Sequence, residues 1–412
     1  YVNGLAKGAI DKTKKAMMNN GSLGLDVPVC VKAVWEEGKV TGVDGKLVCF
    51  APPEIQLGDV TSGPSINSFC PLIAAGCFCL VMMLKAAEED IQFQEVTSNT
   101  QADANLIGFY KHGWTGDHHG KGLVSKHPWT RGINLGIVIR SDKSQEELVQ
   151  LADHSNKHCP SSEIMKRDFP VEVEFYGKDV AASKETDWDK VGVYYNMDKY
   201  HEIAKKDSFD VKQEANMTWH CHNENKLHPN SLMSFSFPHD SDSNLVLGFD
   251  APIGRPNLYA NPVQACFFGG LSTLFHTIAC RIYAHGYKVA KIEGAIKTNM
   301  NKRKVLAADA HGYVFPDGAT IEISVTSNAP EHVLQKVEME AEEMSPTMMN
   351  WRDELPFMYG VARLPPRDNS DATSIISEVS TANSRSRFGS DTRKRLLNFF
   401  WKKSHDVGQE TY

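Results

Sequence analysis

The side chains richest in chemistry in this 412-residue chain are its thiols. Nine cysteines stand at positions 30, 49, 70, 77, 79, 159, 221, 266 and 280. An odd count without dense, regular spacing is not a secreted disulfide framework and suits an intracellular reducing compartment. A free thiol in apolar surroundings is an inert small hydrophobe. Beside a cation or hydrogen-bond donors it ionises and becomes a nucleophile. Cys77 and Cys79 sit inside a long apolar run, and Cys159 directly precedes Pro160.

Two histidine groups and one basic segment complete the candidates. His220-Cys221-His222 with His228 has a spacing that puts His220 and His222 on one side of a strand, as two metal ligands would be. His112, His118, His119 and His127 fall in a Gly-rich loop. Both patterns are commoner as solvated histidines, so no metal site is assigned and no cofactor is expected. The segment Asp391 to Lys403, DTRKRLLNFFWKK, reads as a short helix capped by Asp391. Leu396, Leu397, Phe400 and Trp401 share one face, with Arg393 and Arg395 nearby. An apolar cluster of this kind suits docking on other protein subunits, an anionic membrane surface or nucleic-acid phosphates.

The remainder of the chain bounds these readings. With 44 Lys+Arg against 51 Asp+Glu the net charge is −7, so nucleic acid or membrane binding is open only through 391–403. Hydrophobic residues at 41% and charged residues at 23% exclude wholesale disorder and collagen-like repeats. The apolar run from Phe69 to Leu84 contains Pro71 and is short for a membrane span, so a buried helix is expected. The chain opens on Tyr1 rather than Met. A targeting segment would then already be missing, and the compartment stays open, a mitochondrial matrix included.

The elements that must position the thiols follow from periodicity and punctuation. Leu5 to Met18 predicts an amphipathic helix outside the first core. Strands are expected at Val29 to Trp35, Lys39 to Gly42, Lys46 to Phe50, Val96 to Tyr110, Ile133 to Arg140 and Val171 to Phe175. An apolar helix lies near 68–89. A second helix opens at Ser144, with Glu147 completing a capping box, and Cys159-Pro160 ends it. A second unit has strands at Ala215 to His222, Ser231 to Phe237, Lys291 to Asn299 and Thr320 to Val325. Its helices run from Asn261-Pro262 to about His285 and from Pro330 to Met344, the latter ended by Ser345-Pro346. The order strand, strand, long apolar helix, strand, strand, helix, X-Pro, strand thus occurs twice, about 190 residues apart, which marks a domain duplication. Lys85 and Arg281 hold equivalent places, as do Cys159-Pro160 and Ser345-Pro346. The division is 1–26 as extension, 27–177 as first domain, 178–210 as linker, 211–365 as second domain and 366–412 as a polar tail of disordered composition.

Both units resemble the OsmC/Ohr family (osmotically inducible protein C and organic hydroperoxide resistance protein). The resemblance rests on Val31-Lys32-Ala33-Val34-Trp35, Asp44-Gly45, Ala51-Pro52, Leu72 to Cys79, Leu84-Lys85-Ala86, Ser144 to Leu148, His158 to Ser162 and Pro170 to Val173. In the second unit Asn261 to Gln264 and Phe267 to Gly270 carry it. The matching segments are 27–176 and 211–362. The resemblance implies an α+β fold in which tandem domains form an intramolecular pseudodimer, with curved antiparallel sheets around long central helices. It also implies a thiol peroxidase mechanism. A cysteine on the first central helix, here Cys77 or Cys79, attacks a hydroperoxide, and a second before a proline, here Cys159, resolves the sulfenic acid as a disulfide. The Ala-Ala-Gly pattern favours Cys77, and counting back from Lys85 favours Cys79.

The sequence also departs from that family. The family holds an arginine, fixed by a glutamate, against its reactive thiol, and here the first arginine of the chain is Arg131. The place after Trp35 offers only Lys39, and the glutamate positions are Ser65 and Val263. Arg255 or Arg281 would have to reach across the pseudodimer. In the second unit Thr273 or Phe275 replaces the first cysteine and Ser345 the second, so that unit is expected to be inactive. The expectation is therefore a degenerate pseudodimer that serves as an accessory subunit of a larger, organellar assembly, held through its termini. The alternative is a hydroperoxide reductase using a dithiol reductant and the cysteine pair of the first domain.

Overall fold

The computed structural model describes residues 2–57, 64–111, 130–220, 232–238, 244–248, 259–308, 311–352 and 357–366. The histidines at 112, 118, 119, 127, 222 and 228, with Cys221, Arg255 and the tail segment 391–403 (Arg393, Arg395, Leu396, Leu397, Phe400 and Trp401 included), lie outside the described residues.

After a leading helix α1 (Lys7–Asn19), the first half runs β1 (Val27–Glu36), β2 (Lys39–Gly42), β3 (Leu47–Phe50), α2 (Ile66–Glu88), β4 (Glu95–Asn105), α3 (Ile107–Tyr110), β5 (Thr130–Arg140), α4 (Gln145–His158), α5 (Pro160–Lys166) and β6 (Val171–Lys178). Two short helices follow, α6 (Val180–Glu185) and α7 (Met197–Ala204). The second half runs β7 (Asp210–Trp219), β8 (Met233–Ser236), β9 (Asn244–Leu247), α8 (Pro262–Ala284), β10 (Val289–Met300), α9 (Lys302–Val305), β11 (Ala319–Ser327), α10 (Glu331–Met344), α11 (Pro346–Arg352) and β12 (Phe357–Leu364). The two halves repeat the same order element for element. α2 and α8 have equal length, as do α4 and α10, and α5 and α11.

The strands form two six-stranded sheets of α+β type, ordered β3-β2-β1-β10-β11-β6 and β12-β5-β4-β7-β8-β9. Exchanging the halves converts one order into the other. Each sheet therefore mixes strands of both halves, with β1 antiparallel to β10 (Val31 opposite Ile296) and β4 antiparallel to β7 (Thr100 opposite Ala215). The two parallel pairings, β6 with β11 and β5 with β12, lie toward the sheet margins.

α8 packs on β1 and β10 of the first sheet, and α2 on β4 and β7 of the second. The two helices also pack on each other, with Phe69 and Phe268 ring centroids 5.4 Å apart. Surrounded on nearly all sides, both are apolar over most of their length, with His276 and Arg281 as buried polar exceptions on α8. α8 is long and apolar enough to cross a membrane, yet 89% of its apolar window is buried inside the protein. One continuous core spans both halves.

Several details differ from the sequence-based expectation. The proline after each second helix begins a further helix, because Pro at the first helical position lacks only an N–H that would be unpaired anyway. The strand expected through Tyr110 stops at Asn105, whose side-chain oxygen accepts from the Ile107 N–H and starts the one-turn α3. The segment 178–210 is more than a linker: Tyr195, Tyr200 and Ile203 are fully buried core residues. The leading helix likewise buries Ile10 and Met17 instead of standing outside the core.

Candidate active site

Cys77 and Cys79 lie two residues apart on α2, so they point about 200° apart around its axis. Only one can face a given neighbour. The neighbour is Cys159, at the junction where α4 ends and α5 begins. That junction is pinned to α2 by Ser155, whose hydroxyl donates to the Phe78 carbonyl oxygen at 2.5 Å. The Cys77 thiol turns toward the Cys159 sulfur and hydrogen-bonds with it. Cys79 meets Ser98 of β4 instead, with the Cys159 sulfur acting on it only through space.

All three are free thiols and all are enclosed, with Cys77 and Cys79 at 0% and Cys159 at 1% exposure. Burial pushes Cys79 far above the ordinary thiol range. Burial also raises Cys77, as does its bond to Cys159. Cys159 goes the other way: burial opposes its ionisation, but the Cys77 thiol, the hydroxyls of Ser161 and Ser162 and the Ser162 N–H together lower it. The Ser161 hydroxyl oxygen stands 3.1 Å from the sulfur. The two sulfurs titrate as a unit, and the donors are shared between them, the Ser161 N–H acting on Cys77 and the Ser161 and Ser162 hydroxyls on Cys159. A thiol–thiol pair of this kind can exchange two electrons for a disulfide.

The equivalent place in the second half holds no thiol. Matching α8 to α2 puts Thr273 where Cys77 is and Phe275 where Cys79 is, and matching α10–α11 to α4–α5 puts Ser345 where Cys159 is. Thr273 Oγ1 lies 2.9 Å from Thr347 Oγ1 and donates to the Gly269 carbonyl at 2.8 Å. Hydroxyls have no such redox capacity, and the buried Ser345 hydroxyl has no hydrogen-bond partner, so the contact between the two positions is not reproduced. Cys266 and Cys280 are buried on α8 at other positions.

None of the cations considered from sequence meets the pair among the described residues. Lys39 is exposed on β2. Arg281 is buried, but its guanidinium donates to the Lys111 carbonyl and the Met344 sulfur, both at 2.8 Å, with Glu340 3.8 Å away. Lys166, at the end of α5, is half-buried and donates to the Asn156 carbonyl at 3.3 Å; burial lowers it.

Among the described residues no group of three or more His, Cys, Asp or Glu side chains gathers to hold a metal. His220 instead hydrogen-bonds the Ser234 hydroxyl at 2.8 Å. Compared with protein-family models and with curated proteins, the chain matches none.

Proposed function

We propose that the chain is a tandem OsmC-like pseudodimer with one thiol-redox site, in its first half, that reduces organic hydroperoxides at the expense of a dithiol reductant. One observation carries this reading: Cys77 and Cys159 face each other as free thiols at a helix junction, with the hydrogen-bond donors of Ser161 and Ser162 around them. The second half keeps the same scaffold with hydroxyls, which suits a supporting role. The test is turnover of cumene hydroperoxide by the purified chain with a dithiol reductant, beside Cys159→Ser. Turnover that collapses in the variant supports the reading. No turnover in the wild type, with all thiols slow to alkylate in the folded state, overturns it.

A second reading keeps the fold as an accessory subunit of a larger assembly, organellar in the mitochondrial case. The complete enclosure of both thiols and the loss of the second pair favour it. The basic aromatic segment 391–403 would then be the docking element. Purification as a lone chain, with that segment open to protease, would count against this reading.

A further inference from the structure

We propose that the surface formed by the end of α1, the loop after it and α9 docks the protein on an anionic phospholipid bilayer. Met18, Leu23 and Leu25 enter the headgroup boundary, and the lysines around them meet the phosphates. The inference is independent of the thiol chemistry. It places membrane contact on the body of the fold instead of in the segment 391–403.

The apolar part is held outward by its backbone. Met18, Leu23 and Leu25 are 64%, 44% and 39% exposed. The loop that carries the two leucines is anchored from its inner side. Gly24, at φ +85°, lies against the Met17 side chain and the Arg303 stem, where a Cβ would overlap the Met17 methyl. The Gly24 carbonyl accepts from the Lys302 N–H at 2.8 Å. The Arg303 guanidinium donates to the carbonyls of Met17 and Asn20. The Ser22 N–H and hydroxyl both donate to Asn20 Oδ1. The glycine is held in and the leucines on either side of it stay out. Grouped apolar side chains fixed in water mark a docking surface.

Cations surround that group. Lys15 stands one helical turn before Met18, and Lys12 one turn before Lys15. α9 reads Lys302-Arg303-Lys304-Val305. The Lys304 carbonyl lies 2.7 Å from His158 Nδ1, which brings the last turn of α4, with Lys157, to the same edge. Lys12, Lys15, Lys157 and Lys302 are exposed, and no ion pair holds any of them among the described residues. Lys7 and Lys14 are engaged, by Asp90 at 3.0 Å and Glu88 at 2.5 Å. The carboxylates beside the patch are Asp11, 3.8 Å from Lys7, and Asp26. In a chain of net charge −7 this is a local excess of positive charge.

The duplication shows that the fold does not require such a surface. α3 and α9 are the one-turn helices that follow the equivalent strands β4 and β10. The Leu106 N–H donates to the Phe209 carbonyl at 2.8 Å, as the Lys302 N–H does to Gly24. α3 reads Ile-Gly-Phe-Tyr and is wholly buried, whereas no residue of α9 is. Phe209, just before β7, packs its ring 5.4 Å from that of Tyr110 on α3. Leu23 and Leu25, before β1, meet a basic turn instead and stay in water. One half has closed this contact, and the other has made it cationic and left its leucines open.

A bilayer fits both parts. Leucine and methionine flanked by lysine bury in the acyl boundary while the ammonium groups face phosphate. Nucleic-acid strands would use the lysines but draw on aromatic rings that stack on bases, and the exposed group here is aliphatic.

The test sediments the full chain with vesicles of pure phosphatidylcholine and of phosphatidylcholine containing one-third phosphatidylglycerol. Binding is expected on the anionic vesicles alone, and loss of it at high salt. Lys15→Gln and Lys302→Gln are each expected to weaken it about fivefold, and Leu23→Ser with Leu25→Ser about tenfold. Arg303 is left intact because it holds the loop, and thermal unfolding checks that each variant keeps the wild-type fold. Arg393→Gln with Arg395→Gln, in the tail, is expected to leave binding unchanged. Absence of binding to anionic vesicles would overturn the proposal. Loss in the tail variant alone would do the same, by moving the contact to 391–403. Binding weakened by the lysine variants but not by the leucine pair would overturn insertion. A chain that ignores vesicles and shifts a labelled single-stranded RNA would assign the lysines to nucleic-acid phosphates, and would equally overturn it.

Discussion

The Ser155 hydroxyl donates to the carbonyl oxygen of Phe78, between Cys77 and Cys79, and so fixes the height of α4 against α2. The equivalent residue on α10 is Ala341, and the second half has no such bond. Ser155→Ala is therefore expected to cost about 1 kcal/mol, the net worth of one buried hydrogen bond, because the Phe78 carbonyl keeps its intrahelical partner. Urea unfolding measures that loss. Slower closure of the Cys77–Cys159 disulfide in the same variant would show that the bond sets their register.

Cys79 should be dispensable for chemistry. Its burial and its position on the far side of α2 from Cys77 keep it a thiol. Cys79→Ala is expected to leave peroxide consumption within about twofold of wild type, while Cys77→Ala abolishes turnover by preventing disulfide closure. Counting thiols after one oxidation provides the check: wild type and Cys79→Ala should each lose two, and Cys77→Ala should form no intramolecular pair with Cys159.

Gly270 on α8 lets the Trp351 ring of α11 lie against the helix backbone, and a Cβ there would overlap the ring. The first half solves the same contact with Ala74 and Met165. Gly270→Ala gains about 1 kcal/mol of helix propensity but overpacks this contact by about 1–3 kcal/mol, for a net loss. Adding Trp351→Met, which copies the first-half pairing, is expected to recover part of it. A double-mutant cycle in thermal unfolding reads the coupling.

Acid should weaken the fold through His276. Its Nδ1 lies 2.6 Å from the Tyr195 hydroxyl, which also accepts from Trp35 Nε1 at 2.6 Å. Burial lowers the histidine from 6.5 to about 3, so between those values only the unfolded chain takes up its proton. Stability from this group is full above pH 6.5 and falls with pH by up to ~1.4 kcal/mol per unit. The equivalent residue on α2 is Leu80, which makes His276→Leu the natural control. Stability measured at pH 7 and pH 5 should fall more in wild type than in His276→Leu, and equal falls would refute the assignment.

Much of the fold was legible because its markers are local. The capping box at Ser144 and Glu147 is present as read, and so is the long apolar helix opened by Asn261-Pro262. The repeated order was visible because both halves keep the same succession of periods and breaks. What escaped was decided by distant chain. Tyr195 and Tyr200 look like members of a polar connector until the core closes around them. α5 and α11 hide behind a proline that stops one helix and starts the next. The choice between Cys77 and Cys79 hinged on which face of α2 meets the α4–α5 junction.

The exchange of strands between halves has a consequence for how the chain is made. β1 is translated early, yet its partner β10 lies more than 250 residues further on, from Val289 to Met300. β4 must likewise wait for β7. Emerging from the ribosome, the first half carries α2 with its apolar surface bare and two sheet edges open, a state prone to self-association. Pairing across such separations is slow because loop closure precedes any reward from contacts. A ribosome stalled near residue 210 should present a chaperone substrate rather than a folded domain, and the linking segment, by holding its own tyrosines ready for the core, tethers the late half to the early one at the moment it appears.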